Sequence, residues 1–196
     1  MQEVIPWLCS AIVSLVFIGM SVGYTRKRAQ QQYAEGRKSA PSITSFKLLS
    51  KVLFVLSMCF TLSSYWVSSP LLPRLHQSLW LQLSGAFLVL VGYLLLQQSF
   101  KALGNNYSPL FDAYLPEQLV TTGHYQRIRH PVYLYNLFVS FGLALSSGLW
   151  WVLLFASIGF GFVMRAIALE ENYLTKHFPA YASYSKNSKK LIPWVY

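Results

Sequence analysis

Charge is what this sequence has least of. Of 196 residues, 16 are Lys or Arg and six are Asp or Glu, together 11%, where a soluble domain carries about a quarter. The deficit is bunched: residues 4–24, 52–73, 75–100 and 132–164 contain no charged side chain at all. A helix crosses a bilayer with about 20 mostly apolar residues, so soluble, disordered and collagen-like classes are excluded. Cysteine is scarce too. Cys9 and Cys59 both fall inside charge-free stretches, which excludes a disulfide framework and zinc-ligand spacing. Also missing are a His-Glu-x-x-His pair, a phosphate loop and paired acids at mid-span. Their absence removes the zinc peptidase, nucleotide hydrolase and proton pump classes.

What is present is a basic excess, a net charge of +10. With these apolar runs it reads as loops that orient a membrane protein, not as a nucleic-acid footprint. Residues 4–24 have no basic residue before them and Arg26, Lys27 and Arg28 directly after, which reads as a retained first helix. The centre of the following basic segment, residues 35–45, reads as an irregular loop. A second helix is expected over residues 46–68 and a third over 78–100, flanked by the interfacial Trp66 and Trp80. Residues 132–164 would span about 50 Å as one helix, too long for a core of roughly 30 Å. Ser146-Ser147-Gly148 lies near the middle, so the stretch divides into two short arms.

The expected fold class is therefore all-α, a polytopic bundle of five transmembrane helices whose last two form a helix-turn-helix hairpin. Residues 1–196 form one membrane domain. Residues 1–100 hold three spans and a basic loop, and residues 101–196 hold a connector, the hairpin and the C-terminal segment. Arg26, Lys27, Arg28, Arg37, Lys38, Lys47, Lys51, Lys101, Arg127, Arg129, Arg165, Lys176, Lys186, Lys189 and Lys190 fall on one side and Arg74 alone on the other. That places the C-terminus and the basic connectors in the cytoplasm and the N-terminus outside.

The polar connector at residues 101–129 is far longer than helix links usually are, which marks it as a candidate site. Pro131 opens the fourth helix at a favoured position, with Arg129 and His130 just before it. Two potential cations at a helix start either form an anion site with the unpaired N–H groups or follow the positive-inside bias. Glu170 and Glu171, two of the six acids, follow the fifth span. They are either a solvated face or a partner for a cation or ribose hydroxyls. Arg165, about 140° around the helix from Glu170, either reaches the headgroups or points into the bundle. His76, His124 and His177 show no ligand spacing and receive no role.

The run Gly123-His-Tyr-Gln-Arg-Ile-Arg-His-Pro-Val-Tyr133 resembles the Gly-x-Tyr-x-x-x-Arg-His-Pro-x-Tyr signature of the isoprenylcysteine carboxyl methyltransferase family. Leu103-Gly-Asn-Asn-Tyr-Ser108 upstream is similar to its preceding block. Glu170-Glu171-x-x-Leu174, Phe178-Pro-x-Tyr181-x-x-Tyr184 and Leu191-Ile-Pro193 are similar to its C-terminal block. The resemblance implies a membrane-embedded enzyme that transfers a methyl group from S-adenosylmethionine to a lipid-like or prenylated acceptor entering from the bilayer. Carried over by position, it implies cofactor binding by Gln118, Leu119, Val120, Tyr125, His130, Pro131, Val132, Tyr133 and Glu170. It implies acceptor-handling or catalytic roles for Arg165 and Glu171. Arg165 is displaced by one residue from the family's arginine, with Ala166 at the aligned position. Tyr135 stands where the family often has glycine, and is expected to narrow the acceptor entry.

The chemistry suits such residues. Methylating a carboxylate needs neither metal nor base, so catalysis reduces to positioning and exclusion of water. Two other readings remain: a lipid amine methyltransferase, which needs a base such as Glu171 or His130, and a non-enzymatic membrane scaffold or transporter.

Overall fold

A computed structural model of the chain describes residues 4–32, 44–107 and 118–192. The described residues form six α-helices: α1 (Val4–Gln32), α2 (Thr44–Ser64), α3 (Leu79–Leu103), α4 (Pro131–Ser147), α5 (Trp150–His177) and the short α6 (Tyr181–Asn187). Three segments are long and apolar enough to cross a membrane, Val4–Lys27, Leu79–Asn106 and Trp150–His177, and two shorter apolar helices accompany them, Leu48–Ser64 and Pro131–Ser147. The protein is an all-helical membrane protein. Most of the expected loop at residues 35–45, and Pro193 of the last motif block, lie outside the described residues.

The packing follows from the lipid setting. Large apolar side chains such as Leu15, Ile18, Phe87, Leu94 and Leu154 are exposed, as outward-facing residues in lipid should be. Hydrocarbon solvates leucine as well as a protein core does, so close backbone approach must hold the helices together. α3 and α4 meet through glycine. A Cβ on Gly85 would lie 2.3 Å from the Ser146 backbone nitrogen, and one on Gly142 2.9 Å from that of Val89. Around this seam Val89, Leu96, Val139 and Leu143 are buried with Val13 and Val16 of α1 and Met58 of α2.

Two backbone stitches close the bundle. Away from the site, the α2–α3 link pairs with the two residues between α4 and α5: the Leu75 amide donates to Gly148 O (2.6 Å) and the Trp150 amide to Pro73 O (3.2 Å). Gly148 there adopts φ +64°, and a Cβ would fall 2.5 Å from His76 O. At the other end the C-terminal segment pairs with the residues before α4. Arg129 and His130 amides donate to Lys189 O (2.7 Å) and Lys190 O (3.1 Å), and the Lys189 amide returns to Arg127 O (2.9 Å).

Several helix ends differ from the expected ones, the first helix running past Tyr24 to Gln32. α2 stops at Ser64, not Ser68, because the Arg74 guanidinium turns back onto the carbonyls of Ser64 and Val67. α5 does not end with its apolar stretch at Met164 but runs on to His177. Its 28 residues measure about 42 Å, so the charged turns that carry Glu170 and Glu171 are rigid extensions of a long helix.

Candidate active site

Before α4 the chain makes a 3₁₀ turn, Gly123–Gln126, then reaches His130 as the residue that caps the helix, with Pro131 in its first turn. The His130 ring is buried between two carboxylates. Its Nε2 is 3.4 Å from Glu171 Oε1 and its Nδ1 is 3.7 Å from Glu170 Oε2. Arg129 Nε donates to Glu171 Oε1 at 2.8 Å, and its Nη1 donates to the carbonyls of Ser185 and Ser188. Lys190 Nζ lies 3.4 Å from Glu171 Oε2, and the Tyr181 hydroxyl reaches Glu171 Oε1 at 3.5 Å. The anion beside the cations at the start of α4 is the chain's own Glu171.

The two neighbouring acids have separate surroundings. Successive residues on a helix differ by about 100°. Glu171 faces Arg129, His130 and the C-terminal segment, whose groups occupy its oxygens. Glu170 faces a cavity of about 590 Å³, within the range of small-molecule sites. Its Oε2 is buried with no hydrogen-bond partner. A buried carboxylate oxygen left so is costly unless something donates to it. This orphan atom is the best mark of a bound group in the molecule, and a ligand carrying a cation or hydroxyls fits it.

One end of the cavity is polar, with Gln118, Tyr125, Arg129, His130, Tyr133 and Glu170 in its wall. The other runs between α1, α2 and α5 past Phe17, Phe54, Phe155 and Val163. Asn106 Oδ1 accepts from the Gln118 amide (3.0 Å), which brings residues 118–120 back against the bundle. The Tyr184 hydroxyl donates to Tyr125 O at 2.7 Å, fixing the 3₁₀ turn to α6. Burial pushes the Tyr125 phenol well above its usual range, and the nearby Glu170 charge adds to this. Burial likewise takes Tyr184 up to about 12. Both remain neutral hydroxyl donors at ordinary pH.

Of the residues singled out from the sequence, Gln118, Leu119, Val120, Tyr125, His130, Val132, Tyr133 and Glu170 line this one cavity. Pro131 is buried behind it. Arg165 is exposed and Glu171 faces the C-terminal segment; neither is in the wall, whereas Ala166 is. Tyr135 does not narrow the cavity. It lies about 200° around α4 from Tyr133, buried on another face, and its hydroxyl donates to His124 Nδ1 (2.8 Å). His124 Nε2 in turn donates to Gln98 Oε1 (3.0 Å), so a histidine given no role ties the 3₁₀ turn to α3 and α4.

Sequence reasoning assigned nothing to Tyr24 and Asn136, whose side chains bond each other at 2.8–3.0 Å in the cavity wall, nor to Lys190, Ser185 and Ser188. The Phe178-Pro-x-Tyr181-x-x-Tyr184 block was the available signal for the C-terminal group.

The family model described as phospholipid methyltransferase matches residues 80–181, just over half of the chain. Protein-S-isoprenylcysteine O-methyltransferase A of Arabidopsis thaliana is 27% identical over 160 residues, which cover 80% of this chain and 81% of the relative. Protein-S-isoprenylcysteine O-methyltransferase B of the same plant is 27% identical over 161 residues with the same coverage.

Proposed function

Since the chain belongs to the phospholipid methyltransferase family and is a membrane methyltransferase, we propose that it moves the methyl group of S-adenosylmethionine to the carboxylate of an isoprenylcysteine-like or other lipidic acceptor. The product is a methyl ester. The observation that carries this reading is the state of Glu171. Among the described residues it is the one acid near the cavity besides Glu170, and Arg129, His130 and Lys190 already surround it. An ammonium acceptor must lose a proton before it attacks. A carboxylate needs no such base, and among the described residues no acid at the cavity is unpaired except Glu170, which this reading gives to the cofactor.

The cofactor supplies a methyl group activated on a sulfonium centre. In this chain Glu170, with its unpaired oxygen, is the residue to hold the cofactor's donors. Gln118, Leu119 and Val120 offer the edge of the connector, and the buried His130 and Tyr133 close the polar wall. The apolar flank along Phe54, Phe155 and Val163 suits a lipid chain arriving sideways from the bilayer, and excludes water from the polar end. Arg129 stands in the wall as a cation for an acceptor carboxylate, as does Lys51. Arg165 has the weaker case, because its side chain is exposed beside the cavity-lining Ala166. Glu171 acts through Arg129 and His130.

A headgroup amine is the second reading, favoured by the description of the family model itself. Lipid extracts incubated with methyl-labelled cofactor separate the two. An ester releases its label as methanol in mild alkali, at a rate of formation nearly flat above a pH of about 4. An alkali-stable product whose formation accelerates with pH would replace the carboxylate by an amine.

We also read the whole chain as one domain of five spans, with α4 and α5 as a helix-turn-helix and the site in the cytoplasm. Reporter fusions after Tyr24 and Tyr196 are expected to register cytoplasm and one after Pro73 the outside; the reverse, or an even number of crossings, would overturn this topology.

A further inference from the structure

α1 separates the large cavity from a second recess. Its one face, with Met20 and Tyr24, lines the candidate active site. Its other face forms, with α3, a groove of about 360 Å³ that shares no residue with that site. Gly19 and Gly23 are its floor on the α1 side. A Cβ at Gly19 would fall 2.3 Å from the Tyr93 hydroxyl, and one at Gly23 would fall 3.2 Å from Gln97 Nε2. The phenol and the carboxamide of α3 therefore lie directly on the α1 backbone. At the mouth stand Arg26, exposed, and Lys27, whose ammonium gives one proton to Gly104 O at 2.9 Å and retains two others. Beside them Val22, exposed, and the buried Phe100 supply apolar wall.

Gln97 Nε2 makes this more than a dent in a basic surface. The atom is buried and has no hydrogen-bond partner among the described residues. A carboxamide N–H sealed from water and left without an acceptor calls for one. Guanidinium, ammonium and amide donors at one end of a groove between two membrane-spanning helices, continued by apolar wall, match a phosphodiester with an acyl chain. Basic recesses between transmembrane helices are where anionic lipid headgroups bind.

We propose that this α1–α3 groove is a binding site for one anionic phospholipid, separate from the methyl-transfer site. The phosphate accepts from Arg26, Lys27 and the Gln97 amide, and an acyl chain lies along the exposed Val22. Such a lipid bridges α1 to α3 at the end where α1 also borders the large cavity.

Native mass spectrometry of the full chain, carried out of vesicles containing phosphatidylglycerol and phosphatidylcholine in equal parts, tests the site. The protein is expected to retain one phosphatidylglycerol in preference to phosphatidylcholine. Arg26→Gln should reduce that preference about fivefold, the equivalent of one basic contact near a membrane surface. Gly23→Leu, which fills the groove and leaves every charge in place, should reduce it at least as much. Thermal unfolding of both variants in detergent shows that they remain folded; if Gly23→Leu does not, Gln97→Leu replaces it. Equal retention of the two lipids, or an unchanged preference in the variants, overturns the proposal. Loss of the lipid to millimolar inorganic phosphate would also overturn it, by making free phosphate the ligand.

Discussion

Replacing Glu171 by alanine should lower the unfolding free energy by roughly 3 kcal/mol, the largest loss expected from any side chain at the site. The Arg129 side chain is 9% exposed and that of His130 3%. Glu171 holds the first at 2.8 Å and the second at 3.4 Å. Removing the shared anion leaves a mostly buried guanidinium and a buried imidazole beside each other, and breaking such a pair costs about 3–5 kcal/mol. The lower end applies, because Arg129 retains the carbonyls of Ser185 and Ser188. Lys190, a third exposed, adds little. Glu171→Gln keeps an acceptor oxygen and should lose about half as much. Thermal or denaturant unfolding of detergent-purified protein reads the difference. A transition that does not move in the alanine variant would mean that the backbone pairing of Arg127, Arg129 and His130 with Lys189 and Lys190 alone holds the C-terminal segment to the site.

That ion cluster also shows where the sequence stopped being readable. The charge-free stretches placed all five long helices, since apolar length is a local property. Helix ends are not local. Ser64 ends α2 because Arg74, ten residues on, reaches its carbonyl. The end of the apolar run in α5 said nothing about the end of the helix, because Arg165 and the two acids are as helical as Phe162. The cavity wall around His130 was legible because the signature run and Glu170 are short motifs in order. The separate surroundings of Glu170 and Glu171 were not, as they depend on how α5 is rotated against α4. The pairing of Ile128 with Lys189 joins segments some sixty residues apart, and no spacing signals it. Tyr135 failed for a related reason: its position in the motif gave its neighbours in sequence, but the helix turned it away from the cavity and onto His124.

Glu170→Gln should act with the opposite sign on stability and with a large effect on binding. In the ligand-free protein the buried Glu170 Oε2 accepts no hydrogen bond, and the His130 ring is 3.7 Å away, beyond hydrogen-bonding reach. Neutralising that carboxylate removes a desolvated charge without breaking a hydrogen bond to that oxygen, so the variant should unfold no more easily than the parent and somewhat less so. The cofactor, as proposed, gains its hold by donating to this same oxygen. Hydrogen bonds to a charged group contribute about 1.5–3 kcal/mol, so S-adenosylhomocysteine should bind roughly 10- to 150-fold more weakly to the variant. Calorimetry gives the affinity and an unfolding scan without ligand gives the stability. The two must be read together. A weaker affinity with unchanged or raised stability identifies Glu170 as a ligand-facing group. Weaker affinity with lowered stability would make it a structural partner of His130, as Glu171 is. Unchanged affinity would remove the cofactor from this cavity, because no other buried carboxylate oxygen there lacks a donor among the described residues.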